Sequence, residues 1–71
     1  MATSVNAHIT GTVWKIEVRV GDAVSEGQTV VILESMKMEM PVESPAAGKV
    51  QAVLVKEGDS VEEGRPLIEI V

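Results

Sequence analysis

The sequence predicts an all-β domain, a small sandwich or flattened barrel with an internal pseudo-twofold repeat. Three observations carry that expectation. Residues 11–34 recur as residues 48–71, the segments are rich in β-branched residues, and Gly-Asp turns return at matching positions. At an offset of 37 residues, Gly11 meets Gly48, Val13 meets Val50 and Val18 meets Val55. The run Val20-Gly21-Asp22-Ala23-Val24-Ser25-Glu26-Gly27 then overlies Glu57-Gly58-Asp59-Ser60-Val61-Glu62-Glu63-Gly64, with Gly21, Asp22, Val24, Glu26 and Gly27 unchanged. Glycines held in register imply one backbone geometry used twice. Two copies are too few for an open solenoid, so residues 1–71 read as a single domain.

Each element follows from local chemistry. Thirteen Val and five Ile, stiff at χ1, suit a pleated surface better than a helix, and no eleven-residue window has helical periodicity. A short strand is expected near 5–9. A longer one covers 11–20, where Trp14, Ile16, Val18 and Val20 alternate with Val13, Lys15, Glu17 and Arg19. Gly21-Asp22 then turns the chain into a short piece near 23–25. Strands follow at 28–34, holding Val30-Val31-Ile32-Leu33, and at 38–43. The second half repeats the pattern at 48–56, 60–62 and 66–71, with Gly58-Asp59 as its turn. Trp14 faces Gln51 in the repeat and reads as a partly buried packing residue.

Composition narrows the function. Six Lys+Arg against eleven Asp+Glu give a net charge of −5, which argues against a nucleic-acid partner and fits one bearing a basic patch. Residues that are 45% hydrophobic make the chain globular rather than disordered. The absence of cysteine excludes a disulfide scaffold and a thiolate metal site. Met1 to His8 has neither the basic nor the apolar region of a secretory signal, and the apolar run at 30–33 is far below a membrane span. A cytoplasmic monomer without membrane contact is the expectation.

Catalytic groups are sparse. One His, no Cys and scattered Ser give no base beside a nucleophile, and lone His8 gives no metal site. Glu57, Asp59, Glu62 and Glu63 read as a solvated turn face. The unusual segment is the connection between the repeats, Glu34-Ser35-Met36-Lys37-Met38-Glu39-Met40-Pro41. Met36, Met38, Met40 and Val42 share one strand phase, and Lys37, Glu39, Pro41 and Glu43 the other. With Met40 and Val42 inward, Lys37 faces water. The position matching Lys37 falls outside the chain, so this turn is the counterpart of the two termini. Lys37 is therefore expected at a hairpin tip, remote from both ends. On these residues alone two readings stand, a display site or a solvated lysine beside methionines that fill core.

Glu34-Ser35-Met36-Lys37-Met38-Glu39 resembles the Met-Lys-Met attachment motif of biotinyl domains, the carrier domains of biotin-dependent carboxylases. The resemblance extends through Gly11-Thr12-Val13, Val20-Gly21-Asp22, Glu26-Gly27-Gln28, Ser44-Pro45-Ala46-Ala47-Gly48 and Glu57-Gly58-Asp59, nearly the whole chain in order. It implies a barrel-sandwich of two four-stranded antiparallel sheets. It also implies that Lys37 receives biotin through an amide and that Met36 and Met38 flank it as recognition residues for biotin protein ligase. Ser35 departs from the family's usual Ala, and Ala7-His8-Ile9 from Ala-Pro-Met. The Ser35 change is small-for-small and should not block modification, but it bears on which ligases accept the domain. No insertion matches the protruding thumb of some bacterial carriers.

The implied role is that of a non-catalytic carrier, shuttling carboxybiotin between biotin carboxylase and carboxyltransferase sites. A lysine amine is almost wholly protonated at neutral pH, so a ligase must supply both an activated acyl donor and a base. The length fits a free-standing small carrier or a piece of a larger carboxylase. The nearest rival is a lipoyl domain, with lipoate placed on the same lysine by lipoate ligase. Its usual Asp-Lys-Ala motif differs from Met36-Lys37-Met38. A rival of another class is an unmodified barrel-sandwich adaptor.

Overall fold

The computed structural model describes residues 2–71, and among them every regular element is a β-strand. In chain order these are β1 (Thr3–Asn6), β2 (Gly11–Ile16), β3 (Ala23–Val24), β4 (Thr29–Ser35), β5 (Met38–Glu43), β6 (Gly48–Val53), β7 (Ser60–Val61) and β8 (Pro66–Ile70). They build two four-stranded antiparallel sheets, ordered β1-β8-β6-β3 and β5-β4-β2-β7. The repeat exchanges the two: β5, β4, β2 and β7 of one sheet correspond to β1, β8, β6 and β3 of the other.

The core obeys the same symmetry. Val5, Val13, Val18, Val24, Val30, Val31 and Leu33 are buried, and so are their counterparts Val42, Val50, Val55, Val61, Leu67, Ile68 and Ile70. The last pair is Ala7 and Ser44. Ser44 is the buried polar residue, and its hydroxyl donates to the Ala46 carbonyl, so its burial leaves no orphaned group. One apolar set, used twice, thus fills the space between the sheets.

Reciprocal hydrogen bonds lock the halves together. Gly21 N–H donates to the Val50 carbonyl at 2.8 Å, and Gly58 N–H to the Val13 carbonyl at 2.7 Å. Both glycines sit at φ 95°, where a side chain would be strained. The adjoining aspartates shape the turns with their side chains. Asp22 Oδ2 accepts from Arg19 N–H and Asp59 Oδ2 from Lys56 N–H, each at 2.9 Å.

These turns explain where the strands stop. β2 ends at Ile16 rather than residue 20, and β6 at Val53 rather than residue 56. The following residues, though partly apolar, are recruited by the aspartate turns. Only Val18 and Val55 among them reach the core, while Val20 is exposed. The first strand lies at 3–6 rather than 5–9. Ala7 leaves the sheet, donating to the Arg65 carbonyl and accepting from Gly64 N–H.

A β-bulge falls in each half. The register slips between Val13 and Lys15 on β2 and between Val50 and Ala52 on β6. The extra residues are Trp14 and Gln51. The bulge breaks the expected alternation, turning Val13 inward and leaving Trp14 48% exposed, so Trp14 is not a packing residue.

The edge strand β5 carries a device against association. Ser35 and Met38 close a two-residue hairpin and form a hydrogen-bonded pair, so by alternation Pro41, opposite Ile32, aims its backbone nitrogen away from β4. Its missing N–H costs the sheet nothing and removes a donor from the open edge. Pro41→Thr is expected to keep the fold while introducing concentration-dependent self-association, measurable by analytical ultracentrifugation. A strictly monomeric variant would contradict this role.

Candidate functional site: the hairpin between β4 and β5

β4 and β5 pair from Thr29–Glu43 up to Ser35–Met38, leaving Met36 and Lys37 as the turn. Both have positive φ, 53° and 66°, as a type I′ turn demands. Asn-Gly normally fills these positions, and each non-glycine residue there costs on the order of 1 kcal/mol. The left-handed strain falls on the segment with the unusual sequence.

Burial fades along the hairpin toward the tip. Leu33 is fully buried and Val42 nearly so, and Met40 is intermediate. Met38 is 62% exposed and Met36 92% exposed. Met38, Met40 and Val42 keep their shared phase along β5 and only its inner end reaches the core, while Met36 lies in the turn outside the strand. Core filling therefore does not explain Met36 or Met38. Lys37 is exposed, and among the described residues it has neither an ion pair nor a side-chain hydrogen bond; the ion pair found there is Lys15 with Glu17 at 3.6 Å. An unencumbered primary amine on a fixed tip, with two exposed thioethers beside it, suits covalent acylation by an external enzyme.

Two features of this hairpin were not read from the sequence. Glu34 and Glu39 stand directly opposite each other, one step below the turn. Placing a two-residue turn at Met36-Lys37 would have revealed that pair. Beneath them, Gly11 packs against the backbone of β4: a Cβ at Gly11 would lie 2.6 Å from the Glu34 carbonyl oxygen. Its signal was the recurrence of Gly11 as Gly48.

The turn and the termini are symmetry counterparts, as the repeat requires. Leu33–Met40, beneath the turn, corresponds to Ile70–Thr3, beside the chain ends, in the other sheet. His8 lies apart from the tip, lining a shallow recess of about 310 Å³ with Asn6, Pro41, Val42 and Glu43. Among the described residues no group of three or more His, Cys, Asp or Glu is placed to hold a metal ion. No helix among them is long and apolar enough to cross a membrane. Trp14 is exposed on a bulge whose counterpart holds Gln51, so the fold itself does not require an indole there.

Comparison with known proteins agrees with this geometry. The biotin/lipoyl family model, described as "Biotin-requiring enzyme", matches residues 1–70. The chain is 46% identical over 67 residues to the biotin/lipoyl attachment protein of Bacillus subtilis (strain 168), covering 94% of this chain and 92% of that one. It is 45% identical to the biotin carboxyl carrier protein of Streptococcus mutans, covering 97% of this chain and 53% of the relative. The crystal structure of Kluyveromyces lactis urea carboxylase contains the same fold with a TM-score of 0.94 and 42% identity, over 100% of this chain but 6% of that one. The chain thus spans nearly all of one small relative and a small fraction of a large carboxylase. Sheet order, core symmetry, lysine-bearing hairpin and sequence identity converge: the chain belongs to the biotin/lipoyl attachment family.

Proposed function

We propose that this chain is a biotin carrier, that Lys37 is its attachment residue, and that biotin protein ligase modifies it. The observation that carries the reading is the exposed, unpaired amine of Lys37 on a strained two-residue turn. Relatives named as biotin carboxyl carrier proteins and carboxylases support biotin as the group attached. In the attachment step the Lys37 Nζ loses a proton to a base of the ligase and attacks the carbonyl carbon of an activated biotinyl ester. A C–N bond forms, the activating group leaves with the ester oxygen, and a neutral amide results.

When bound, biotin supplies a ring that takes up a carboxyl group at one site and releases it at another. The chain contributes position. The hairpin holds the tether at the end of the β4–β5 pair, and the linkage raises the effective concentration at each site visited. Biotin carboxylase and carboxyltransferase are the partners this reading assigns. The same reading places residues 1–71, as one monomeric domain, in the cytoplasm beside the carboxylase.

Met36 and Met38 are assigned to ligase recognition, because exposed thioethers this far from the core contribute little to packing. Met36→Asp is expected to lower the ligation rate about tenfold or more, through an uncompensated charge in the enzyme complex. Its melting temperature should shift by no more than about 3 °C, as for other surface changes. A large loss of stability with unchanged ligation would return Met36 to a structural role.

A second reading, lipoate on the same lysine, is favoured by the B. subtilis relative, which is named a biotin/lipoyl attachment protein. The deciding experiment is intact mass after incubation with biotin ligase or lipoate ligase, followed by peptide mapping. A biotinyl adduct on Lys37 supports the carrier. A lipoyl adduct redirects the assignment, and no adduct with either enzyme favours an unmodified adaptor.

A further inference from the structure

We infer that Lys37 is also the counter-charge that holds its own hairpin closed, so that acylating it loosens the tip that displays the cofactor. The inference rests on the attachment reading above. Glu34 and Glu39 are directly opposite and both exposed. The pair flanking a two-residue turn is hydrogen-bonded, so the next pair, Glu34–Glu39, is the non-hydrogen-bonded kind with the closest side chains. Two carboxylates there repel, and the fold does not ask for them. The counterpart positions in the repeat, Ala2 and Val71, carry no charged side chain.

Between Thr29 and Glu43 the hairpin holds three carboxylates, at Glu34, Glu39 and Glu43, and a single cation, Lys37. Lys37 has no carboxylate within 4 Å, so it acts on the pair through space, an interaction that salt screens. The turn has little reserve against losing that attraction, since Met36 and Lys37 are both left-handed. Amide formation turns the ammonium into a neutral group. The tip formed by Glu34, Lys37 and Glu39 then carries two negative charges instead of a net one. Repulsion at the neck is left uncompensated, and the tip opens more often. The ligase meets a closed, well-defined hairpin, whereas the modified chain swings its tether from a looser one.

Amide hydrogen exchange at Ser35 and Met38 reads tip opening directly. At low ionic strength Lys37→Gln, which removes the charge without any ligase, is expected to speed exchange about two- to fivefold. Lys37→Arg, which keeps the charge, should leave the rate unchanged. The acceleration should disappear in a Glu39→Gln background and shrink at about 1 M salt, where the Debye length is about 3 Å. Enzymatically biotinylated wild-type chain should match Lys37→Gln. Equal exchange in Lys37→Gln and wild type, or equal acceleration with and without Glu39, overturns the inference. An adduct that maps to another lysine overturns the attachment reading instead, and the Lys37–Glu39 coupling is then measured independently of it.

Discussion

Lys37→Arg is expected to abolish biotin attachment while leaving the protein as stable as before. The guanidinium keeps the positive charge and the length of the side chain, but it stays protonated and offers no nucleophilic nitrogen. Intact mass after exhaustive ligase treatment should show no adduct, a loss of at least about a hundredfold in rate given the dependence of acylation on a free amine. The turn should tolerate the change, because residue 37 is exposed and arginine meets the same left-handed penalty as lysine. The melting temperature should move by less than about 3 °C. The remaining lysines are Lys15 on β2, Lys49 on β6 and Lys56 in an aspartate turn, all outside the hairpin. An adduct on any of them would sink the assignment.

Much of this architecture was legible because the chain states it twice. Matching Gly21-Asp22 to Gly58-Asp59 anticipated two equivalent turns, and the structure makes each turn donate into the other half. Matching Val13, Val18 and Val24 to Val50, Val55 and Val61 anticipated core pairs that are indeed all buried. The repeat alone also puts Lys37 at the counterpart of the termini, where the structure has it. The role proposed for it rests on the resemblance of its neighbours, because a turn lysine alone does not distinguish display from solvation.

What was not legible depends on contacts between distant residues. The bulges at Trp14 and Gln51 arise from pairing with β4 and β8, so a period-2 pattern along β2 alone gave the wrong environment for Trp14. The Glu57 carboxylate accepts from Ile16 N–H at 3.2 Å, across 41 residues of sequence. No counterpart exists, because Val20 occupies the matching position. Met36 and Lys37 lack the Asn-Gly signal of a type I′ turn, so their left-handed geometry was hidden. In each case tertiary packing overrode a local rule.

Gly11→Ala should be the most damaging conservative change near the site, against the usual direction. Alanine in a strand normally gains about 0.5–1 kcal/mol over glycine by losing less backbone entropy. At Gly11, however, the new Cβ would lie 2.6 Å from the Glu34 carbonyl oxygen and 3.3 Å from its carbon, both backbone atoms that no rotamer change relieves. β2 and β4 must part just below the turn. Overpacking of this kind costs about 1–3 kcal/mol, or a drop of roughly 5–20 °C in melting temperature for a domain this size. Gly48→Ala provides the internal control. Its Cβ would meet the Val71 carbonyl oxygen and Ile70 Cγ2, the same clash at the counterpart position in the other sheet. Both variants should lose comparable stability, but only Gly11→Ala shifts β4, the strand that leads into the turn holding Lys37. Measured well below both melting points, ligation should slow in Gly11→Ala and stay near wild type in Gly48→Ala. Equal slowing in both would mean that global stability, not the geometry of the hairpin neck, governs access to the lysine.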